Sequence, residues 1–241
     1  MDKVSKTQKL KHSKTQTLKF ELTAERKVLC GIKLFRIRAV KAIERFGVKK
    51  GDLGGWVEKE ENLDQSGDAW VSGDAIVYGD AIVYGDAWVY GDAWVFGGAR
   101  VYGNARVFGN TLVYGDARVY DAARVFGNTR VFGDALVHGD ARVFGGALVH
   151  GDALVKSDAR VKEAGDVLWF KNTWSSGRWF TYTRSNGRWA VGCFYGTGEE
   201  LIRKAYADSE TSGKCYEATV RYVEALEAAR KARKEKRNER S

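Results

Sequence analysis

The apolar positions of the middle of this chain recur with two superposed periods. From Gly67 to Lys162 the sequence divides into sixteen unbroken hexads, as in GDAWVYGDAWVFGGARVYGNARVFG at 85–109. Val fills the fifth slot of all sixteen, and Ala fills the third slot of fourteen, with Thr111 and Thr129 the two exceptions. Within a hexad, Ala and Val are two apart and therefore share one face of a short strand, while the fourth and sixth slots share the other. The Gly-Asp or Gly-Asn pair that opens twelve of the sixteen hexads supplies a corner, because both residue types tolerate the positive φ of a sharp turn. A strand this short cannot bury its own apolar face. It gains a core only by stacking on copies of itself, which predicts a solenoid.

The length of one turn can also be read. Asn110-Thr111 and Asn128-Thr129 lie eighteen residues apart, so three hexads per coil would place Thr on Thr inside and Asn on Asn at the corner. Sixteen hexads then make about five triangular coils, about 25 Å of stack at the usual strand spacing. Small Ala beside larger Val every six residues resembles the signature of left-handed parallel β-helices of the hexapeptide-repeat type, and the resemblance covers 67–162. KFELTAERKVL, GDLGGWVEKEENL and RWAVGCFYGTGEEL extend the similarity to uncharacterised repeat proteins of phage and prophage genomes. It implies a mainly β fold with capped ends and, since such β-helices are often trimers, a homo-oligomer.

The flanks are read as caps. Residues 1–18 form a basic extension and 19–66 an N-terminal β cap, with GDLGGWV leading the chain into the first coil. The repeat decays by 168. Residues 169–229 are read as a small α+β module: strands joined by a turn at 185–187, a helix opened by a Thr197-to-Glu200 capping box, and a final helix at about 214–233 with Tyr216, Val220, Val223 and Ala229 on one face. Residues 230–241 are a basic tail.

Function, if written in the repeat, lies in its outward slots. Sorted by eighteen, one fourth-slot column reads Trp70, Trp88, Arg106, Arg124, Arg142, Arg160, beside sixth-slot Phe108, Phe126 and Phe144. Four Arg next to three Phe suggest a strip that grips phosphates and stacks bases or nucleotide rings. The alternative is a ladder that merely holds the coils together, with corner Asp residues neutralising the Arg. Trp70, Ile76, Ile82, Trp88 and Trp94 make the N-terminal end of the repeat the most apolar, and are expected to lie at an oligomer interface or beneath the N-terminal cap.

Charge points the same way as the Arg strip. The net charge is +9, but residues 1–50 carry +11, 51–66 −4, 67–162 −2 and 163–241 +4, so basicity sits at the ends. The ends are either solvated tails that aid solubility or polybasic arms attracted to nucleic acid or another polyanion. Catalysis is not expected. The three His (His12, His138, His150) have no partners for a site, and neither inserted loops nor a P-loop, HExxH or nucleophile elbow occurs. Three scattered Cys suit neither disulfides nor zinc, so no metal or cofactor is expected. With no apolar run of membrane length and no secretory pattern at the start, a cytoplasmic location is expected, without membrane partners. The resulting expectation is a non-catalytic binding protein for a phosphate-rich ligand, nucleic acid or a nucleotide, in a phage setting one that sequesters a host nucleotide signal. A structural rod or spacer is the alternative, and a hexapeptide-repeat acyltransferase the third.

Overall fold

The computed structural model describes residues 18–239. The basic extension expected over 1–18, with His12, therefore lies almost wholly outside the described residues. Each of the sixteen hexads forms one short strand, from β4 (Trp70–Val71) to β19 (Arg160–Val161). Strands eighteen residues apart pair in parallel, Trp70 with Trp88 and Val125 with Val143, for example. The coils are joined by backbone N–H groups that donate to the next coil, such as Arg124 N to Ala141 O at 2.8 Å. The chain is thus mainly β, a parallel β-solenoid with three sheets around a shared axis.

The interior consists of the Ala and Val columns, from Ala69 and Val71 to Ala159 and Val161, all essentially without solvent exposure. Thr111 and Thr129 replace Ala there and meet as expected. Their Oγ1 atoms are 3.1 Å apart, and each also donates to the carbonyl three residues before it. At the corner above them, Asn110 Nδ2 donates to Asn128 Oδ1. Corner glycines stack on corner glycines at positive φ. A Cβ on Gly115 (φ 70°) would lie 2.9 Å from the backbone nitrogen of Gly133.

The solenoid begins earlier than Gly67. After a hairpin of β1 (Phe20–Leu29) and β2 (Ile32–Ala39), strand β3 (Leu53–Val57) pairs antiparallel with β2 and parallel with β5 (Ile76–Val77). Val57 sits beside Val77, and Leu63 beside Val83, each twenty residues on. Residues 53–66 are therefore a further coil with two extra residues, and the solenoid has about six turns rather than five. Lys19 locks the chain to this coil. It is wholly buried, its Nζ donates to Ser66 O at 3.2 Å, and burial pulls its pKa down to about 8 despite nearby Asp64.

At the other end, a four-stranded antiparallel sheet, β20 (Val167–Lys171), β21 (Trp179–Thr183), β22 (Arg188–Val191) and β23 (Phe194–Gly196), closes the stack. Backbone N–H groups of the last coil have no coil to donate to, and hydroxyls take their place: Leu154 N donates to Thr181 Oγ1 (2.9 Å) and Arg160 N to Ser185 Oγ (2.7 Å). Such capping removes the exposed sheet edge. Helix α1 (Gly198–Asp208) opens on the expected capping box, Glu200 N donating to Thr197 Oγ1 and Thr197 N to Glu200 Oε2. Helix α2 (Glu210–Asn238) buries Tyr216, Val220 and Val223 against Phe180, Trp189 and Leu201. Two expectations fail here. Ala229 is exposed, and the basic tail continues α2 to Asn238.

Candidate functional site: the arginine column

The eighteen-residue coil brings the predicted arginines together. Arg106 pairs in register with Arg124, Arg124 with Arg142, and Arg142 with Arg160, one above another on the outer face of a six-stranded sheet. Arg106 is half-buried and the other three are exposed. Among the described residues, none of the four guanidinium groups has a carboxylate within ion-pair distance. Corner Asp residues are present for three of the four, Asp121, Asp140 and Asp158, but stand beyond ion-pair distance of the guanidinium groups. The corner leading to Arg106 carries Asn104 instead, Asp121 lies 3.4 Å from His138 Nδ1, and Asp158 accepts a hydrogen bond from Asn186 (2.9 Å) that, with the more distant Arg188 and Arg160, holds its carboxyl below the usual range.

The aromatic sixth slots form three continuous columns, one per sheet. Tyr90, Phe108, Phe126 and Phe144 are stacked face to face with centroid separations of 4.7, 4.9 and 5.4 Å. Tyr78, Phe96, Tyr114, Phe132 and His150 make a second column, and Tyr84, Tyr102, Tyr120 and His138 a third. The expected stacking of bases on Phe108 and Phe126 is therefore corrected. Both faces of Phe108 and of Phe126 are covered by neighbouring rings, so no base can enter there without separating two coils, whereas Phe144, at the end of the column below Lys162, is stacked on Phe126 alone. These columns are cross-strand packing. Burial raises the pKa of Tyr90, with Arg106 and Arg124 pulling against it, which places both cations beside that column.

His138 and His150 are members of these columns. His138 stacks on Tyr120 at 4.6 Å with Nδ1 3.4 Å from Asp121 Oδ2, and burial lowers its pKa against that neighbour. His150 stacks on Phe132 and meets Trp169 edge-on. Among the described residues, no group of three His, Cys, Asp or Glu is placed to hold a metal ion, and no helix is long and apolar enough to cross a membrane.

The apolar N-terminal end is covered within the chain, which corrects the interface expectation for Trp70 and Ile76. Both are buried, Ile76 beneath Trp56 of the extra coil. Trp88 is stacked under Phe46 (4.7 Å) and donates its indole N–H to Ser72 Oγ. Ile82 and Trp94 are half-buried. Beside Phe46, Arg45 binds Asp86 at 3.0 Å and also contacts Asn104, adding a cation at the lower end of the arginine column.

At its upper end the column meets a feature the sequence hid. Lys162, two residues after Arg160, lines a groove of about 640 Å³ with Glu163 and with Arg230, Arg233, Lys234 and Arg237 of α2. Arg230 pairs with Glu163 at 3.0 Å and with Asp166 at 3.8 Å. The basic run was expected to be a tail, and its regular helical continuation is what lays these side chains beside the solenoid.

A family model described as YdcK Beta solenoid repeat matches residues 69–85, 75–91 and 99–115. A search of the curated proteins finds no match. The matched stretches all lie within the stacked hexads described above. Coordinates and comparison agree that the chain is a repeat protein built as a parallel β-solenoid.

Proposed function

We propose that this protein is a non-catalytic binding scaffold whose arginine column holds a phosphate-rich ligand. One observation carries the reading: four guanidinium groups stand in register with no carboxylate in ion-pair distance among the described residues. Aligned like charges repel, and a bound polyanion converts that repulsion into attraction. Arginine presents a planar fork of donors suited to phosphate oxygens. The same argument ranks the ligand classes. A nucleotide ring finds both faces of Phe108 and Phe126 taken, so recognition along the column runs through phosphates. The non-catalytic part of the reading rests on His138 and His150 being spent in aromatic stacks.

The structural-rod reading keeps support from one observation, the three aromatic columns, which account for the sixth slots without any ligand. The two readings separate on the fourth slots. Fluorescence anisotropy with a labelled oligodeoxythymidylate at low salt is expected to show binding that Arg124→Glu/Arg142→Glu weakens at least tenfold while circular dichroism stays unchanged. Equal binding by wild type and variant, or none by wild type, would leave the column a structural ladder.

A further inference from the structure

We propose that the ligand is single-stranded nucleic acid, and that its path continues from the arginine column into the groove between Lys162 and the C-terminal half of α2. The proposal rests on the phosphate-binding reading above and extends it to a partner and a second half-site.

The first argument is continuity. Arg160 and Lys162 are the fourth and sixth slots of one hexad and point outward together from the last coil. Lys162 is also a wall of the groove that Arg233 and Lys234 line from α2. Positive groups thus follow one another from Arg106 to Lys234. The carboxylates at the junction are already committed. Glu163 is held by Arg230, and Asp166 accepts the backbone N–H groups of Lys162 (2.9 Å) and Glu163 (3.1 Å) while facing Arg230.

The second argument is shape. Three coil spacings separate Arg106 from Arg160, about 14 Å, and the seven residues from Arg230 to Arg237 add about 10 Å of helix. A track of between about 14 and 25 Å is larger than a single nucleotide. It matches a short stretch of one strand, at the lower end of the roughly 4–16 nucleotides bound by single-strand-binding folds. A duplex would touch it only where one of its backbones happened to cross. Because both faces of Phe108 and Phe126 are closed, contact along the column is to the backbone, and binding should be indifferent to base sequence.

The test uses the full-length chain and labelled oligodeoxythymidylates of 4, 8 and 16 nucleotides, measured by anisotropy between 50 and 200 mM salt. Wild type is expected to bind the 8-mer at least tenfold tighter than the 4-mer, and to bind a mixed-sequence 8-mer equally well. Arg233→Glu/Lys234→Glu should bind the 8-mer as weakly as wild type binds the 4-mer. The neutral pair Arg233→Gln/Lys234→Gln should weaken it less, with a salt slope shallower by about 1.4, the loss of two phosphate contacts at roughly 0.7 each. If the groove variants keep full affinity and length dependence while the column variant Arg124→Glu/Arg142→Glu loses binding, the extension into α2 is wrong and the phosphate-binding reading survives. If neither changes binding, both fall. Tighter binding of a length-matched duplex or of inorganic polyphosphate would overturn the assignment to single-stranded nucleic acid.

Discussion

Removing one charge from the middle of the arginine column should stabilise the unliganded protein, and by an amount that salt controls. Arg124 has an arginine on each side, Arg106 and Arg142, and the Phe108 and Phe126 rings set the spacing of adjacent coils there at 4.9 Å. Arg124 is exposed, so the repulsion is reckoned in high dielectric, about 0.8 kcal/mol per neighbour or about 1.7 kcal/mol for both. Guanidinium groups that splay apart lower this figure, which makes it an upper bound. Screening leaves most of it at 10 mM salt, where the Debye length is about 30 Å, and about a fifth at 1 M, where it is about 3 Å. Arg124→Gln also removes aliphatic stem that covers its neighbours, but that loss does not depend on salt. The charge contribution is therefore isolated by the difference between the two conditions, about 1 kcal/mol, or about 2–4 °C in Tm for a chain of this size. In scanning fluorimetry, the Tm of Arg124→Gln relative to wild type should be higher at 10 mM than at 1 M salt by that margin. Arg124→Lys keeps the charge and should follow wild type at both. A Gln variant equally destabilised at both salt concentrations would refute the reasoning. The column would then be neutralised within the protein, and the argument for an anionic ligand would lose its basis.

Two further outcomes test the solenoid itself. Gly115→Ala should cost about 1–2 kcal/mol for the left-handed backbone alone, with the contact to Gly133 N at 2.9 Å added, whereas Gly146→Ala, where a Cβ meets nothing within 4 Å, should be neutral in the same thermal melts. His138 is held below its ordinary pKa by burial, against the pull of Asp121. The folded state thus binds fewer protons than the unfolded one once pH falls through about 6.5, and stability present above that pH is lost below it. The Tm of wild type should fall more between pH 7 and pH 5 than that of His138→Phe, which keeps the stack on Tyr120. Parallel pH profiles would place the titration elsewhere.

What could be read from sequence, and what could not, follows from which interactions are periodic. The hexads carry the interior in their own spacing, so the eighteen-residue turn, the stacking of Thr111 on Thr129 and the composition of the arginine column were all legible before any coordinates. The extra coil was not, because Val57 and Leu63 stand twenty residues from their partners. Counting back in sixes from Val71 lands on Gln65 and loses the phase. The last helix was expected to about 233, already inside the basic run, and it continues to Asn238 because the Lys, Arg and Glu that follow are strong helix formers.

The candidate site was half legible for a different reason. Slot and period say which side chains face outward together, and on that basis Arg and Phe looked like equal halves of one surface. Their fates differ because a ring has two faces and a coil spacing near 4.9 Å lets each face be filled by the ring above or below. A guanidinium group has no such use for its neighbour. Repetition therefore satisfies an aromatic column and frustrates a cationic one. The same periodicity that makes the phenylalanines structural leaves the arginines in need of a partner from outside the solenoid.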